Sequence, residues 1–303
     1  MKLSLSAPAD GEERLTLETS DGQALTAYLF RANAFRRQKK SVIVAPGTGI
    51  KQTYYRSFAS YLAEHGYDVI TFDFRMIGES TVKPLKKCAA TYIHWGRLDF
   101  PAVIKACQKS FPEQPIDIIG HSAGAWLIAL NPAHGEISGV LAISSMNGYW
   151  KKIKSLERYK HLFLWTIAVP PISRLWGYAP GWLGLKADLS TAHARQWANW
   201  SLHRDFLFSD PEVQPIHYAN AFIGRITAFV IDDDQWTTMD ATKDLYQRFT
   251  RAKLEFRSIT PQDAQGEVIG HFGFFRKKFA SSLWPIALQW LQDDDHQRSP
   301  IRP

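Results

Sequence analysis

The sequence predicts an α/β protein with a mostly parallel central sheet of about eight strands, flanked by helices on both faces. Three features of the 303-residue chain support this prediction. Short apolar runs alternate with helical segments over most of the chain, as right-handed crossovers between parallel strands require. The runs at 40–45 and 68–74 are apolar with little interruption, which is typical of strands buried on both faces. A glycine-flanked turn at 120–124 joins one such strand directly to a helix.

The opening segments, 13–19 and 24–30, alternate apolar and polar residues on either side of Ser20-Asp21-Gly22. This pattern predicts a hairpin that forms an antiparallel edge of the sheet. Further strands are predicted at 40–45, 68–74, 115–119, 137–144, 226–231 and 253–259. Helices are predicted at 54–64, 97–110, 125–130, 239–250 and 281–292.

The segment 147–222 interrupts this alternation, and its prolines divide it into several short helices. We interpret it as a helical cap inserted over the carboxyl ends of the strands, between core parts 1–146 and 223–292. More than half of the tryptophans of the chain lie in it: Trp150, Trp165, Trp176, Trp182, Trp197 and Trp200. Most of them are expected to pack the cap onto the core, and the rest to contact ligand. The polar residues 293–303 are predicted to form a disordered tail.

Composition sets limits on the function. Hydrophobic residues make up 45% of the chain and charged residues 21%, as in globular proteins. The chain has no apolar run long enough to span a membrane, and its start does not resemble a signal peptide. Cys88 and Cys107 are the two cysteines and have no metal-type spacing, which predicts a cytoplasmic protein without a metal or other cofactor. The net charge of +7 is scattered and accompanies no nucleic-acid-binding motif, so we expect no nucleic-acid partner. The oligomeric state is not predicted.

The sequence Gly120-His121-Ser122-Ala123-Gly124 has the pattern and the context of a nucleophile elbow. The pattern alone is common, but here a strand precedes it and a run of helix formers follows. The glycines let the strand and the helix approach each other closely while Ser122 takes up a strained conformation. The serine hydroxyl is then exposed, and the N–H of Ala123 at the helix start points to where an oxyanion would form.

A serine nucleophile needs a general base and an acid that orients it. His271 follows the last strand in a glycine-rich segment, as the base does in hydrolases with a strand-turn-helix elbow. Three consecutive aspartates follow the strand 226–231. Asp232 and Asp234 are expected to face the same side of the chain, and the position a few residues past the strand favours Asp234, with Asp232 as the alternative. The aspartates without this role are expected to be solvated or to cap the helix that starts near Met239.

The turn after the strand 40–45 is expected to supply the second oxyanion donor, the N–H of Thr48. A phosphate-binding loop is a poor alternative there, because no Gly-Lys-Ser/Thr sequence follows. Farther along the chain, Asp73 and Arg75 are expected to fix loops near the elbow, and Asp99 to interact with the dipole of the helix 97–110. The residues expected to contact substrate are Gly47, His121, Trp150, Trp236 and Phe272.

Together these motifs resemble the α/β-hydrolase superfamily over about residues 11–291. The resemblance rests on the segments 46–49, 72–75, 120–124, 232–236 and 270–275. The segments 148–150 and 175–178 further resemble a group of predicted serine hydrolases related to serine aminopeptidase-like enzymes. Two residues depart from the family pattern: Pro46 stands where a histidine is common, and Met76 where a glycine is usual. Both changes are expected to reshape the pocket without removing a member of the triad.

The resemblance implies a Ser-His-Asp hydrolase that cleaves esters, thioesters or amides of a small-molecule acyl substrate without a cofactor. Its tryptophans and its excess of Lys and Arg lead us to expect that the cap closes a pocket for an apolar acyl or aromatic group, one that can carry an anionic end. A cap that packs inertly over an open cleft is the alternative. Two other functions stay open: a non-catalytic ligand receptor on the same fold, and a cofactor-free haloperoxidase-like or lyase activity.

Overall fold

The computed structural model describes residues 12–82, 84–154, 156–183 and 187–297. Within these ranges, eight strands form the central sheet: β1 (Glu12–Glu18), β2 (Ala24–Phe30), β3 (Ser41–Ala45), β4 (Asp68–Phe72), β5 (Ile116–His121), β6 (Ile137–Ile143), β9 (Arg225–Ile231) and β10 (Lys253–Ile259). A separate pair consists of β7 (Tyr178–Ala179) and β8 (Leu189–Ser190).

The α-helices of the described residues are α1 (Arg56–Glu64), α2 (Tyr92–His94), α3 (Phe100–Ser110), α4 (Ala123–Trp126), α5 (Glu157–Phe163), α6 (Val169–Trp176), α7 (Thr191–Leu202), α8 (Met239–Tyr246), α9 (Gly270–Gly273) and α10 (Trp284–Gln297). Two π-helical stretches make continuous connections between helices. Trp95–Asp99 joins α2 to α3, and Leu164–Ala168 joins α5 to α6.

The order of strands in the central sheet is β1-β2-β4-β3-β5-β6-β9-β10. The six strands β4, β3, β5, β6, β9 and β10 pair in parallel, in that order across the sheet. In contrast, β1 pairs antiparallel with β2, and β2 pairs antiparallel with β4. Parallel pairing brings the carboxyl ends of β3, β5, β6, β9 and β10 to one edge of the sheet. The predicted fold class is confirmed: this is the mostly parallel, eight-stranded sheet of an α/β-hydrolase, with its antiparallel hairpin at one edge.

Both faces of the sheet are buried under helices. Alternate residues of β3 show the two-sided burial, because Ile43 belongs to the core that includes α3, whereas Val42 and Val44 belong to the core that includes α1 and α10. Two-sided burial accounts for the continuous apolar runs of the central strands. The two cores hold the carboxyl ends of the strands in fixed positions. The candidate site lies at these ends.

The segment 147–222, called the insert below, contributes α5, α6, α7 and the short β7–β8 pair, and adds no strand to the central sheet. It packs on Trp126 of α4, whose ring centroid lies 5.8 Å from that of Trp200 and 5.5 Å from that of Phe206. Since α4 directly follows β5, this contact places the insert over the carboxyl end of that strand.

The described chain ends in helix rather than in disorder. Helix α10 continues through residues 293–297, which corrects the expectation of a disordered tail for these five residues. The rest of that predicted tail, residues 298–303, lies outside the described residues, as do residues 1–11 at the start of the predicted core. Among the helices that the structure describes, none is both long enough and apolar enough to cross a membrane.

Candidate active site

Ser122 stands between the end of β5 and the start of α4 with φ 50° and ψ −115°. A non-glycine residue with positive φ is strained by about 1–3 kcal/mol, so the surroundings must hold it in place. The Ser122 N–H donates to Ile143 O at 2.9 Å. The Ser122 carbonyl accepts the Ser145 hydroxyl at 2.9 Å. The neighbouring strand β6 and the residues after it therefore anchor the strained turn.

The glycines on either side of this turn have no room for a side chain. A Cβ added to Gly120 would lie 2.5 Å from Ala125 Cα, and one added to Gly124 would lie 2.2 Å from Ala45 O. Both distances are far below van der Waals contact. The close approach at Gly124 brings the start of α4 against the loop that follows β3, which is the loop of Thr48.

Ser122 and His271 line one cavity of about 90 Å³ at the carboxyl end of the sheet. The other lining residues are Thr48, Ile50, Met146, His161, Leu164, Trp165, Trp197, Trp236 and Phe272. None of these described residues carries a fixed charge. The wall is therefore largely apolar, and the groups that form hydrogen bonds are few.

His271 and Asp234 form a buried pair, with His271 Nδ1 at 2.7 Å from Asp234 Oδ2. The other oxygen of Asp234 accepts the N–H groups of Trp236 at 2.8 Å and Thr237 at 3.2 Å. Burial acts to raise the pKa of Asp234, but the adjacent His271 ring and these hydrogen bonds outweigh it and hold the pKa well below its ordinary value. An ionised Asp234 selects the His271 tautomer with the proton on Nδ1, which leaves Nε2 free to accept a proton.

Ser122 and His271 thus line one cavity and Asp234 is bonded to His271, although no hydrogen bond joins Ser122 Oγ to the His271 ring in the described structure. Both side chains face the same space. In unliganded sites this contact is often long and shortens when substrate binds. The sequence leaves Asp232 open as the alternative acid, but its side chain is exposed and bonds to the Ser258 hydroxyl, whereas Asp234 bonds to His271.

Asp233 has a role that the sequence did not indicate. Its two carboxylate oxygens accept the N–H groups of Ile269 at 2.8 Å and Gly270 at 2.7 Å, so it holds the turn that carries His271. The expectation that the remaining aspartates would be solvated or cap the next helix is wrong for Asp233. Helix α8 is capped instead by Thr238, whose side chain accepts the N–H of Ala241 at 3.1 Å.

The two expected oxyanion donors, the N–H groups of Thr48 and Ala123, have no acceptor among the described residues. Thr48 lines the cavity, and its hydroxyl oxygen accepts the Tyr92 O–H at 3.2 Å. Ala123 follows Ser122 at the first position of α4, where backbone N–H groups are free by necessity. Two unpartnered donors beside a serine can stabilise negative charge on an oxygen bound between them.

His121 does not contact the cavity, which corrects its assignment as a substrate-binding residue. It is fully buried, with Nδ1 at 2.8 Å from Tyr55 Oη and Nε2 at 2.9 Å from His271 O. Burial and the nearby His271 ring lower its pKa to about 3, so the ring is neutral at pH 7. Since the Gly47 N–H donates to Tyr55 Oη at 3.0 Å, one hydrogen-bonded chain connects the Thr48 loop, the elbow and the His271 turn.

The remaining predicted contact residues divide into two groups. Trp236 and Phe272 line the cavity, with ring centroids 4.7 Å and 4.9 Å from that of His271. Gly47 and Trp150 do not line it, so their contact with substrate stays a prediction. Gly47 directly precedes Thr48 in the loop after β3, and Trp150 packs on Tyr159 within the insert.

Neither of the two residues that depart from the family pattern, Pro46 and Met76, lines the cavity. Met76 has φ 67°, a conformation that favours the glycine usual at this position. The expected helix-dipole role of Asp99 is also wrong. Asp99 is buried and accepts the Arg75 Nε–H at 2.6 Å and the Arg75 backbone N–H at 2.9 Å.

Several residues of the site were missed in the sequence. The insert supplies His161, Leu164, Trp165 and Trp197 to the cavity wall, and the turn of Ser122 depends on Ser145. The aromatic richness of the insert was a signal for its two cavity tryptophans, but no pattern singled them out. No group of His, Cys, Asp and Glu side chains in the described ranges is arranged to hold a metal ion.

Comparisons with known proteins agree with this architecture. The family model of serine aminopeptidase S33 matches residues 36–256, which is most of the chain. The fold is similar to the esterase Pf2001 of Pyrococcus furiosus at 19% identity and a TM-score of 0.58, over 93% of this chain and 91% of that one. It is also similar to Est1E of Butyrivibrio proteoclasticus at 13% identity and a TM-score of 0.59, over 93% and 99% of the two chains.

A third similar structure is XC6422 of Xanthomonas campestris, described as a serine hydrolase without a lid, at 14% identity and a TM-score of 0.52, over 98% and 99% of the two chains. No curated protein sequence matches the chain significantly. At these identities the structural likenesses establish the fold, whereas the family match covers the strands from β3 to β9, the elbow and Asp234, and ends before His271. The chain is a hydrolase of the α/β-hydrolase superfamily and belongs to the serine aminopeptidase S33 family.

Proposed function

We propose that the protein is a serine esterase that hydrolyses esters of small, neutral carboxylic acids through a Ser122-His271-Asp234 triad. The observation that carries this proposal is the cavity in which the strained Ser122 meets the His271–Asp234 pair, whose Nδ1–Oδ2 distance is 2.7 Å. Thioesters and amides would undergo the same chemistry. The fold of the similar esterases supports the choice of ester.

In the proposed reaction, Ser122 Oγ attacks the ester carbonyl carbon while its proton passes to His271 Nε2. The carbonyl oxygen becomes an oxyanion held by the N–H groups of Thr48 and Ala123. The bond to the alkoxy group then breaks, and that group leaves with the proton from His271. Water attacks the resulting acyl-enzyme with His271 as base, which releases the acid and restores Ser122.

The first test is covalent labelling by a fluorophosphonate, which reacts with activated serines. We expect one label per chain, located on Ser122, and loss of labelling in Ser122→Ala. Ser144 provides a matched control, since it also has positive φ (51°) and is buried beside the elbow. Ser144→Ala should keep the label. A wild-type protein that is not labelled, or a label that survives Ser122→Ala, would contradict the proposal and favour the non-catalytic receptor.

The insert acts in this proposal as a cap, because four of its side chains complete a cavity wall and shield Ser122 from water. A cavity of 150 Å³ is about the size that holds a benzene ring. The present cavity of about 90 Å³ is smaller and has no charged wall residue among those described. We therefore infer a short, neutral acyl group in place of an anionic one.

A cytoplasmic location and a small-molecule substrate as partner stay predictions.

The chain length of the acyl group is tested with a series of p-nitrophenyl esters. We expect kcat/KM to be highest between acetyl and butyryl and to fall by about tenfold or more by octanoyl, because a longer chain does not fit the cavity. Leu164→Ala removes part of the wall and enlarges the cavity, so it should shift the optimum of kcat/KM to longer acyl chains. A profile that is flat in both proteins would mean that the insert packs inertly and leaves an open cleft.

A further inference from the structure

Two buried nitrogen atoms in the cavity wall have no hydrogen-bond partner. They are His161 Nε2 and Trp197 Nε1, and both residues line the cavity together with Ser122. Other buried ring nitrogens of the described chain also lack a partner, such as His193 Nε2, but that residue is not part of the cavity wall. His161 Nε2 and Trp197 Nε1 therefore differ from His193 Nε2 in that their side chains belong to the wall of the cavity that holds Ser122.

Both belong to the insert, on different helices that meet at the cavity. His161 lies on α5 and Trp197 on α7, with ring centroids 6.3 Å apart and ring planes at 65°. The ring of Trp165 lies beside both, 6.0 Å from His161 and 5.9 Å from Trp197. The three rings form an aromatic wall in which two nitrogens are the unsatisfied polar atoms.

A buried donor without an acceptor is unfavourable, so unpartnered polar atoms in native proteins call for an explanation. Ligand cavities typically have an apolar wall with a few polar groups that fix the orientation of the ligand. The wall formed by His161, Trp165 and Trp197 has this composition. A ligand oxygen bound against this wall would supply the acceptor that these nitrogens lack.

The chemistry of the two side chains restricts what that ligand atom can be. The Trp197 indole N–H donates and cannot accept. Burial lowers the pKa of His161 to about 4, so at pH 7 its ring is neutral and offers a donor in one of its tautomers. The cavity wall has no Lys or Arg among the described residues. A carboxylate or phosphate would be buried there without a counter-charge, which excludes the anionic end that the composition of the insert suggested.

We infer that His161 and Trp197 form a recognition site for a neutral oxygen, such as an ether or ketone oxygen, within the acyl group of the substrate. The inference rests on the proposed function in that it assigns the acyl group to this cavity. It makes the substrate class an ester of a short oxygen-bearing acid rather than of a plain alkanoic acid. His161 and Trp197 determine specificity in this scheme, and Ser122, His271 and Asp234 perform the chemistry.

The test measures binding in a Ser122→Ala background, so that it does not depend on turnover. The ligands are methyl pentanoate and two isosteres in which oxygen replaces one methylene, methyl 3-methoxypropanoate and methyl ethoxyacetate. Ligand-observed NMR titration gives each dissociation constant. The quantity compared is the ratio of the pentanoate constant to that of the better-bound isostere, because the different hydration of the esters cancels when this ratio is compared between variants.

We expect His161→Phe and Trp197→Phe each to lower this ratio by about 3- to 10-fold, since each removes one hydrogen bond and keeps a ring in place. Leu164→Ala is the control, because it changes an apolar residue of the same wall and should leave the ratio unchanged within about twofold. A ratio that neither ring variant changes would overturn the inference, as would failure of all three esters to bind. An unchanged ratio would mean that water, and not the ligand, hydrogen-bonds to the two nitrogens.

A kinetic arm separates this inference from the proposed function. The p-nitrophenyl esters of the same three acids are assayed with intact Ser122. Binding ratios that change as expected, without any ester hydrolysis, would contradict the esterase and support the recognition site. Hydrolysis of all three esters, with ratios that His161→Phe and Trp197→Phe do not change, would support the esterase and contradict the recognition site.

Discussion

Asp234→Asn is expected to lower kcat of the proposed esterase by about 10⁴-fold, whereas Asp232→Asn should keep kcat within about twofold of the wild type. Asp234 accepts the Nδ1 proton of His271 at 2.7 Å and holds the tautomer that leaves Nε2 free. An amide at this position can donate its own N–H to Nδ1, which favours the opposite tautomer and removes the base. Asp232 is an exposed side chain bonded to Ser258, so its charge contributes little to the reaction.

The two variants are a matched pair, because each exchanges one aspartate for the same isosteric amide within three consecutive residues. Steady-state kinetics on the best p-nitrophenyl ester measures the difference, and circular dichroism checks that both variants fold. Binding of the uncleaved ester should be nearly unchanged in Asp234→Asn, since the loss affects the chemical step. If Asp232→Asn instead shows the large loss, the acid has been assigned to the wrong residue.

The central fold and the positions of the proposed triad residues after their strands were predictable because each depends on local patterns. Continuous apolar runs mark the buried strands β5 and β9, which precede Ser122 and Asp234, whereas His271 follows the alternating, partly exposed strand β10. In a parallel sheet the carboxyl ends of neighbouring strands lie at the same edge, so order along the chain predicts proximity in space. Strand β10 was predicted with the bounds that the structure gives, Lys253–Ile259.

Contacts between distant parts of the chain were not predictable. Asp233 holds the N–H of Gly270, a residue 37 positions away, and His121 contacts the backbone of a residue 150 positions away. Strand alternation placed Asp232 and Asp234 on the same side, but the chain is already turning there, and Asp233 and Asp234 both face the segment 269–271. Alternation applies within a strand and ends where the turn begins.

The insert was predicted as a set of short helices divided by prolines, but α5, the π-helical stretch and α6 run without a break from 157 to 176, with Pro170 and Pro171 in the first turn of α6. Strands β7 and β8 have two residues each, and a π-helical stretch interrupts the helical period between α5 and α6. Two of its six tryptophans, Trp165 and Trp197, line the cavity, whereas Trp182 is exposed. Helix α10 continues through the polar residues 293–297.

Asp99→Ala is expected to lower the free energy of unfolding by about 3–5 kcal/mol, which is a large part of the 5–15 kcal/mol typical of a folded domain. Asp99 is fully buried and forms an ion pair with Arg75 at 2.6 Å, and the Arg75 side chain is 5% exposed. Burial raises the pKa of Asp99 to about 7, and the contacts with Arg75 limit that rise. Removal of the carboxylate leaves a buried guanidinium with Asp21 as its remaining charged partner.

Asp21→Ala is the matched control, because Asp21 contacts the same guanidinium at 2.7 Å but its side chain is 41% exposed. A partly exposed partner is screened by solvent, so its loss should cost about 1 kcal/mol or less. Urea unfolding followed by circular dichroism measures both variants. Equal losses of unfolding free energy from Asp99→Ala and Asp21→Ala would mean that the buried Arg75–Asp99 pair contributes no more to stability than the partly exposed Arg75–Asp21 pair.

A double variant separates loss of the pair from the cost of an unpaired charge. Arg75→Met combined with Asp99→Leu removes both charges and fills the space with apolar atoms, so it should be more stable than Asp99→Ala alone.

The Arg75–Asp99 pair also supports the candidate site at a distance. Trp95 Nε1 donates to Arg75 O at 3.2 Å, and the Trp95 ring lies 4.9 Å from that of Tyr92, whose hydroxyl contacts Thr48. We therefore expect the double variant to regain stability but to keep a lowered kcat, since the altered Arg75 position is transmitted to the oxyanion loop. Full recovery of kcat together with stability would instead mean that Thr48 is held in place independently of the Arg75–Asp99 pair.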